Sequence, residues 1–343
     1  MNPAEQLAGL TLEGGWYVVG PANRRPNATG GTFSHGYIVR HPDGREGFLK
    51  ALDYATALTS PDPPRMLLAL LQAYDHERTL CEKTRNLSRI ARAIDRGAVV
   101  HATNPFMRVD YLIFELASGD IRAHLDLHAA LDHVFKMKAL HHVATGLKQL
   151  HNVSVAHQDL KPSNVLVYAA SEGSKICDLG RAWDKHKSAA HDGWDVAGDR
   201  RYAPPEFLYF AVPADENARR FGCDLYQLGS LVVFCFSRVH MNALLAIHVH
   251  PDHRPGIWGG TYQGVLPALS AAFDLALAQF ERDVPDFLKA EMRQTVAELC
   301  EPDPTRRGHP LNHYQNQFSL ERYVSRFDRL AHVARLQLVR SAI

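Results

Sequence analysis

Asp159, Lys161, Asn164 and Asp178 put two carboxylates, an ammonium and an amide into one short stretch of this 343-residue chain. Three of them sit in the loop His157-Gln158-Asp159-Leu160-Lys161-Pro162-Ser163-Asn164, just after a helical pattern and just before the β-branched run Val165-Leu166-Val167. The turn AASEGS and a second short strand, KIC, then lead to Asp178-Leu179-Gly180. In an antiparallel hairpin the start of one strand lies beside the end of the next, with neighbours about 4.8 Å apart. Asn164 and Asp178 are therefore expected to meet. An amide oxygen and a carboxylate in a loop-lined cleft are hard oxygen ligands of the kind Mg²⁺ takes when it also binds phosphates.

The elements that must position these groups divide in two. Residues 15–52 read as three strands, GWYVVG, GYIVR and GFLKAL, joined by turns at TGGT and HPDG, hence a small antiparallel sheet. Pro63 and Pro64 suit a helix start, and Arg65 to Arg85 carries Leu67, Leu70, Leu71 and Tyr74 at helical spacing. Ile90–Val100 and Val109–Leu116 read as further strands. From Ile121 the pattern is mainly helical, with Leu131–Leu150 amphipathic and later helices near 221–237, 266–280 and 285–300. The fold class is α+β: a β-rich first lobe with one long helix, a helical second lobe, and a joint near Ala117–Gly119.

HQDLKPSN resembles the HRDLKPxN catalytic loop of the eukaryotic-type Ser/Thr protein kinase family, and Asp178-Leu179-Gly180 its DFG. Gly198-Asp199-Arg200-Arg201-Tyr202-Ala203-Pro204-Pro205-Glu206 is similar to the family's GTxxYxAPE, Asp224–Gly229 to its DxxxxG, and Asp303-Pro304-Thr305-Arg306-Arg307 to its DPxxR. The likeness runs over roughly residues 14–320. It implies a bilobal protein kinase-like domain with an N-lobe at 14–116 and a C-lobe at 120–320, followed by a C-terminal helical extension at 321–343. The implied cofactors are ATP and Mg²⁺, and the implied reaction is γ-phosphoryl transfer to Ser/Thr hydroxyls of a protein substrate.

The resemblance also implies roles. Asp159 would orient the attacking hydroxyl, Lys161 would offset charge on the moving phosphoryl group, and Asn164 and Asp178 would hold the metal. Lys50, in GFLKAL, would contact phosphates and pair with a helix glutamate. Glu77 lies in line with Leu70, Tyr74 and Cys81, whereas Glu82 is about 140° further round, so Glu77 is the expected partner. TGGTFSHG resembles the phosphate-covering loop, with Gly31 and Ser34 at two glycine positions and Thr29 at the first. Phe114 takes the gatekeeper place, the Glu115 carbonyl and Ala117 amide face adenine, and Leu166 forms the floor. Asp120 reaches the ribose or caps the helix that starts at Ile121. Glu206 and Arg307 pair.

Three positions depart from the family. Gln158 replaces the Arg that receives an activation-segment phosphate, which makes this a non-RD sequence. The only hydroxyls between Asp178 and Glu206 are Ser188 and Tyr202, so switching through that Arg is not expected. Asp199 stands where Thr is common and would pair with Lys161 or raise the pKa of Asp159. Phe48 stands where a small residue usually lies above adenine, and either stacks on the base or fills the pocket. The latter case supports an alternative, a pseudokinase acting as a nucleotide-binding or scaffold module. A small-molecule phosphotransferase shares the Asp, Asn and Asp cleft but lacks the PPE and DxxxxG segments.

Composition narrows the rest. Lys plus Arg (38) against Asp plus Glu (37) gives a net charge of +1, so no global field recommends nucleic acid or an anionic membrane as a partner. Five dispersed cysteines without a CxxC pair suit reduced thiols and a cytoplasmic location. The apolar stretch Leu225–Val239 is shorter than the ~20 residues of a membrane span and reads as a core helix. Twenty histidines suggest a charge that climbs steeply below pH ~6.5. The pair His124/His128 and the run His248–His253 match no zinc spacing and read as solvated surface. Leu320–Val339 reads as a packed terminal helix, or else as one that docks a partner.

Overall fold

Alternation along one strand organises the first lobe. In a computed structural model describing residues 2–22, 34–101, 104–127, 133–169 and 173–341, strands β1 (Tyr17–Pro21), β2 (Ser34–Arg40) and β3 (Glu46–Leu52) are followed by two helices, α1 (Tyr54–Leu58) and α2 (Pro63–Thr84). A hairpin of β4 (Ala93–His101) and β5 (Asn104–Glu115) completes an antiparallel sheet in the order β1-β2-β3-β5-β4. On β3, Leu49 and Ala51 are buried on one face while Phe48 and Lys50 are half-buried on the other, the period-2 consequence of a pleated strand. The Leu49 face joins Tyr37, Val39, Val109, Tyr111 and Ile113 in a core roofed by Ala4, Leu7, Leu12 and Trp16. The residues before position 14, to which the sequence reading gave no role, thus cover the sheet's outer face. The Tyr37 hydroxyl donates to the Ala4 carbonyl at 2.7 Å and the Trp16 indole to Asp95 at 2.8 Å.

The other face of the sheet looks toward α2 and the second lobe. Asp62 caps α2 by accepting the Arg65 N–H, and Pro63 and Pro64 occupy its first turn. Glu77, Leu80, Cys81 and Thr84 form its buried stripe. That stripe fixes where Glu77 points.

After Glu115 the chain crosses to the second lobe, and the Ser118 N–H and hydroxyl both donate to the Val167 carbonyl (2.9 and 2.7 Å). There follow β6 (Gly119–Asp120), α3 (Ile121–Leu127), α4 (His133–Asn152), β7 (Val155–Ala156), the hairpin β8 (Val165–Val167) and β9 (Ser174–Ile176), and β10 (Trp183–Asp184). The remaining helices are α5 (Pro205–Leu208), α6 (Glu216–Ser237), α7 (Met241–His248), α8 (Tyr262–Glu281), α9 (Asp286–Leu299) and α10 (Glu321–Ser341). One core built from α4, α6, α8 and α9 also takes in Leu320, Tyr323, Phe327 and Leu330 from the α10 region. The C-terminal helix is therefore part of the lobe's packing. Leu225–Phe236 lies buried within α6, and among the described residues no single helix is long and apolar enough to cross a membrane.

Candidate active site

The loop carrying Asp159 is held from behind by α6. Asp224, fully enclosed, accepts the backbone N–H groups of His157 and Gln158, both at 2.8 Å, and its Oδ2 lies 2.9 Å from His151 Nε2. Gln227, three residues on and so on the same helix face, accepts the Leu160 N–H at 2.8 Å and donates to the Gln158 carbonyl at 2.9 Å. Gln158 adopts a left-handed conformation (φ 66°), uncommon for a side chain of this type. These bonds from α6 hold it there. Within the loop, His157 Nδ1 accepts the Asp159 N–H while Nε2 faces the Cys177 carbonyl at 3.0 Å.

Three donors surround the Asp159 carboxylate. Lys161 Nζ and Asn164 Nδ2 reach its Oδ2 at 2.8 and 3.2 Å, and the Asp199 N–H reaches its Oδ1 at 2.7 Å. The last contact needs Gly198: a Cβ there would strike the Gln158 carbonyl and lie 2.8 Å from Asp159 Oδ1. The Asp199 carboxylate is turned away. It is bound by Arg201 at 2.6 and 3.0 Å, with Lys161 3.9 Å off. Burial works against that charge, but Arg201 outweighs it and holds the carboxyl below its usual range. Of the two roles expected for Asp199, neither is its main contact, because Arg201 takes the carboxylate.

The hairpin brings Asn164 and Asp178 to its open end. Val165 pairs with Ile176, and the Asn164 carbonyl accepts the Cys177 N–H at 3.0 Å, one residue from Asp178. Across the cleft, Lys50 Nζ donates to both oxygens of Glu77 (2.8 and 2.9 Å) and to Asp178 at 3.1 Å. Glu82 instead meets Arg78 and Arg96. Burial opposes charge on Lys50, yet Asp178 and Glu77 together hold it protonated. Lys50 holds the Asp178 carboxyl down at about 2, while burial pushes Glu77 above its ordinary value, so Glu77 is the first of the two to take up a proton. With its Nδ2 engaged on Asp159, Asn164 has an amide oxygen whose one described partner is the Ser163 hydroxyl at 3.4 Å, which leaves a hard ligand atom, and the Asp178 side chain is 37% exposed. This donor set fits Mg²⁺.

The rim of the cleft is mixed. Phe48 stands opposite Phe114 on neighbouring strands, Glu115 ends β5 with its side chain bound by Lys175 at 2.8 Å, and Ala117 lies in the crossing segment. Leu166, half-buried, pairs with Asp120 and Lys175. Ser34 opens β2 opposite Leu52, whereas Gly31 and Thr29 lie outside the described residues. Asp120 caps α3 by accepting the Ala123 N–H at 2.7 Å. Of the histidines expected on solvated surface, His250 is exposed, while His124 and His248 are half-buried. His124 Nδ1 lies 3.1 Å from the Asp120 carbonyl and His248 Nε2 lies 2.8 Å from Gln279. His128 lies outside the described residues, and among those described no group of three or more His, Cys, Asp or Glu side chains could hold a metal ion.

A family model described as the protein kinase domain matches residues 75–318. The chain belongs to that family. This kinase domain is 33% identical over 147 residues to G protein-coupled receptor kinase 2 of Caenorhabditis elegans, covering 41% of the chain and 20% of that protein. It is 30% identical over 123 residues to human beta-adrenergic receptor kinase 1 (35% of the chain, 17% of the relative) and 30% identical over 124 residues to human serine/threonine-protein kinase H2 (35% and 32%). The matches thus span between about a sixth and a third of these relatives' lengths.

Two features of the kinase domain were not anticipated from the sequence. Gln227 is one, although its place one turn after Asp224 would have flagged it. The other is a set of contacts from α2 to the segment after Asp178: Lys83 Nζ donates to Asp184 at 2.7 Å, Lys187 Nζ to Asp75 at 2.8 Å, and His76 Nε2 lies 2.7 Å from the Ala182 carbonyl. Below them, Glu206 and Arg307 form the expected pair with two bonds of 2.6 and 2.8 Å, both side chains fully enclosed.

Proposed function

We propose that this kinase domain transfers the γ-phosphoryl group of ATP to Ser or Thr hydroxyls of a protein substrate, with Mg²⁺ as cofactor and without a phosphate on its own activation segment. The observation that carries this reading is Lys50, which bonds to Glu77 and to Asp178 at once and so joins the two lobes across the cleft. A nucleotide bound there would meet Lys50 with its phosphates. Asp159, fixed by three donors, is placed to orient a hydroxyl, and Lys161 beside it offsets charge on the phosphoryl oxygens. Asn164 and Asp178 would hold the metal, which when bound neutralises charge developing on the phosphates.

Gln158 supports independence from activation-segment phosphorylation. It is buried and its amide is spent on the Arg220 carbonyl, 2.8 Å away, so it offers no cationic site. The contacts of Lys83 and Lys187 with the segment hold α2 by direct ion pairs instead. The Ser/Thr class follows DLKPSN and the names of the relatives. Phe48 favours one competing reading, a pseudokinase whose pocket is plugged. Thermal stabilisation by Mg-ATP, radiolabel transfer with Asp159→Ala as control, and phosphoamino-acid analysis test the proposal. The expected result is stabilisation, transfer lost in Asp159→Ala, and phosphoserine or phosphothreonine in the product; neither stabilisation nor transfer would point to the plugged pseudokinase, and stabilisation without transfer to a module that only binds nucleotide.

A further inference from the structure

We infer that His76 and His191 are paired positioning residues: as neutral imidazoles they fasten the activation segment to α2 through one shared carbonyl, and a further proton on the pair releases it. The inference adds a proton-sensitive contact to the catalytic reading above and rests on that reading only for turnover.

The shared acceptor lies just beyond Asp178-Leu179-Gly180. The Ala182 N–H closes a turn by donating to the Leu179 carbonyl at 3.0 Å, and the enclosed Ala182 carbonyl faces two rings. His76 Nε2 reaches it from α2 at 2.7 Å, and His191 Nε2, nine residues further along the segment, reaches it at 3.2 Å. A carbonyl oxygen only accepts, so both rings carry a proton on Nε2. Both are buried, with centroids 5.2 Å apart and planes at 77°. His76 is followed by Glu77, which binds Lys50, so a bond that fixes this stretch of α2 fixes Glu77 as well.

The surroundings accept neutral rings and resist charged ones. An imidazolium carries a proton on both nitrogens, and His76 Nδ1 is enclosed with no hydrogen-bond partner among the described residues. A proton there would be a buried, unbonded donor. Of the charged groups around the pair, Glu77 beside His76 and Asp192 beside His191 are negative, and Arg181 is positive. Asp75 and Asp184 are bound by Lys187 and Lys83, while from α6 Arg219 and Arg220 donate to the Asp192 carbonyl. At His191 burial outweighs the Ala182 bond and the attraction of Asp192, and His76 and Arg181 add repulsion, so its pKa lies below the ordinary 6.5. In water the released ring would titrate at that ordinary value. As pH falls below 6.5 the released form therefore takes up a proton that the fastened form refuses, and the contact weakens.

Hydrogen exchange of the full chain, read by mass spectrometry and corrected for the intrinsic rate, follows the segment without needing turnover. From about pH 7.5 to about pH 5.5, exchange over residues 182–194 should rise by up to about tenfold relative to the buried part of α6, the effect of one pH unit below 6.5. His191→Gln keeps an N–H for the carbonyl and cannot charge, so it should show no such rise; His191→Lys, a fixed cation, should exchange fast at both values. Turnover of Mg-ATP by wild type should fall over the same range, and His191→Gln should flatten that fall. Wild-type exchange that ignores pH, or a rise in His191→Gln equal to wild type, overturns the inference. Release without a fall in turnover overturns the positioning role. Should His191→Lys fail to fold, wild type and His191→Gln still decide. Absence of phosphoryl transfer at both pH values, with the exchange behaviour as expected, would remove the catalytic reading and leave the proton-sensitive contact standing.

Discussion

Two glutamate–cation pairs, Glu206–Arg307 and Glu77–Lys50, have almost the same bond lengths and opposite surroundings. Glu206 and Arg307 are fully enclosed, and the guanidinium also donates to the Gly222 and Glu301 carbonyls and lies over the Tyr226 ring. Its charge is matched one for one. Lys50 is 23% exposed and is shared between two carboxylates, Glu77 and Asp178. That cluster therefore carries one negative charge in excess, on the side that opens to the cleft. A matched, dry pair holds two segments in register; an unmatched cluster, buried at Glu77 and open at Lys50 and Asp178, would under the proposed function receive a further cation and phosphates. Bond length does not separate scaffold from chemistry here, whereas burial and charge balance do.

The largest effect should come from breaking the enclosed pair. Arg307→Met leaves Glu206 buried without a partner and is expected to cost about 3–5 kcal/mol, read as a lower urea midpoint. Adding Glu206→Leu removes the stranded charge and should recover part of the loss. A change under ~1 kcal/mol in Arg307→Met would erase the contrast between the pairs. The open cluster should respond in the other observable. In Glu77→Gln the amide still accepts from Lys50 and Asp178 still balances it, so no buried charge is stranded and stability should fall less than in Arg307→Met. Under the proposed function, turnover should fall roughly a hundredfold, about 2.7 kcal/mol of barrier. Unaltered turnover would take Glu77 out of the machinery.

Much of this contrast was legible in the sequence, for identifiable reasons. The segments HQDLKPSN, DLG, PPE and DPTRR are short and contiguous, so Glu206–Arg307 is readable from PPE and DPTRR, and Lys50 from its strand GFLKAL. The choice of Glu77 over Glu82 needed only helix phase, because α2 is regular and presents one buried stripe. Contacts that depend on a side chain's turn of direction were not legible. Asp199 comes within 3.9 Å of Lys161, as expected, but the sequence did not show that Arg201 two residues on would bind its carboxylate more closely, at 2.6 Å. The N-terminal residues showed no periodicity, since they cover the sheet as irregular chain anchored by Leu7, Leu12 and Trp16. The histidine count misled in a physical way: burial holds several imidazoles neutral, so the total overstates the charge gained on mild acidification.

His142 sharpens that last point and asks which region weakens first in acid. Burial, with Arg89 and His141 adding repulsion, lowers its pKa from 6.5 to about 4. Its Nδ1 accepts the Ser174 N–H at 3.1 Å, at the start of β9. Between these values the unfolded chain takes up a proton that the folded chain refuses, so stability falls as pH drops from 6.5 to 4. At about 1.4 kcal/mol per pH unit the full shift would be worth about 3 kcal/mol, and solvent screening of the half-buried ring brings the expected loss at the acid end to about 2 kcal/mol. Asp178, held down at about 2, keeps its charge throughout that window. His142→Gln, whose amide oxygen can still accept the Ser174 N–H, should flatten the urea midpoint against pH over this range. An unchanged slope would assign the acid loss to other groups.

The smallest effect tests an ion pair between the two extremes. Lys83 is 27% exposed, while Asp184 is 5% exposed and also accepts the His186 N–H at 3.0 Å. Asp184 pairs with Val155 through β10 and β7, two residues before His157, so the bond links the end of α2 to the root of the catalytic loop. It is dry at one end and wet at the other. Lys83→Met should therefore cost only about 1 kcal/mol of stability. Under the proposed function its clearer consequence should be a few-fold higher KM for ATP with little change in kcat, because α2 carries Glu77 and a looser α2 would hold Lys50 less firmly for the phosphates. Lys83→Arg should restore the KM, since the longer cation can still reach Asp184. A fall in kcat at constant KM would mean that the pair acts on the catalytic loop through β10 and β7, and would make it part of the frame that Glu206 and Arg307 complete.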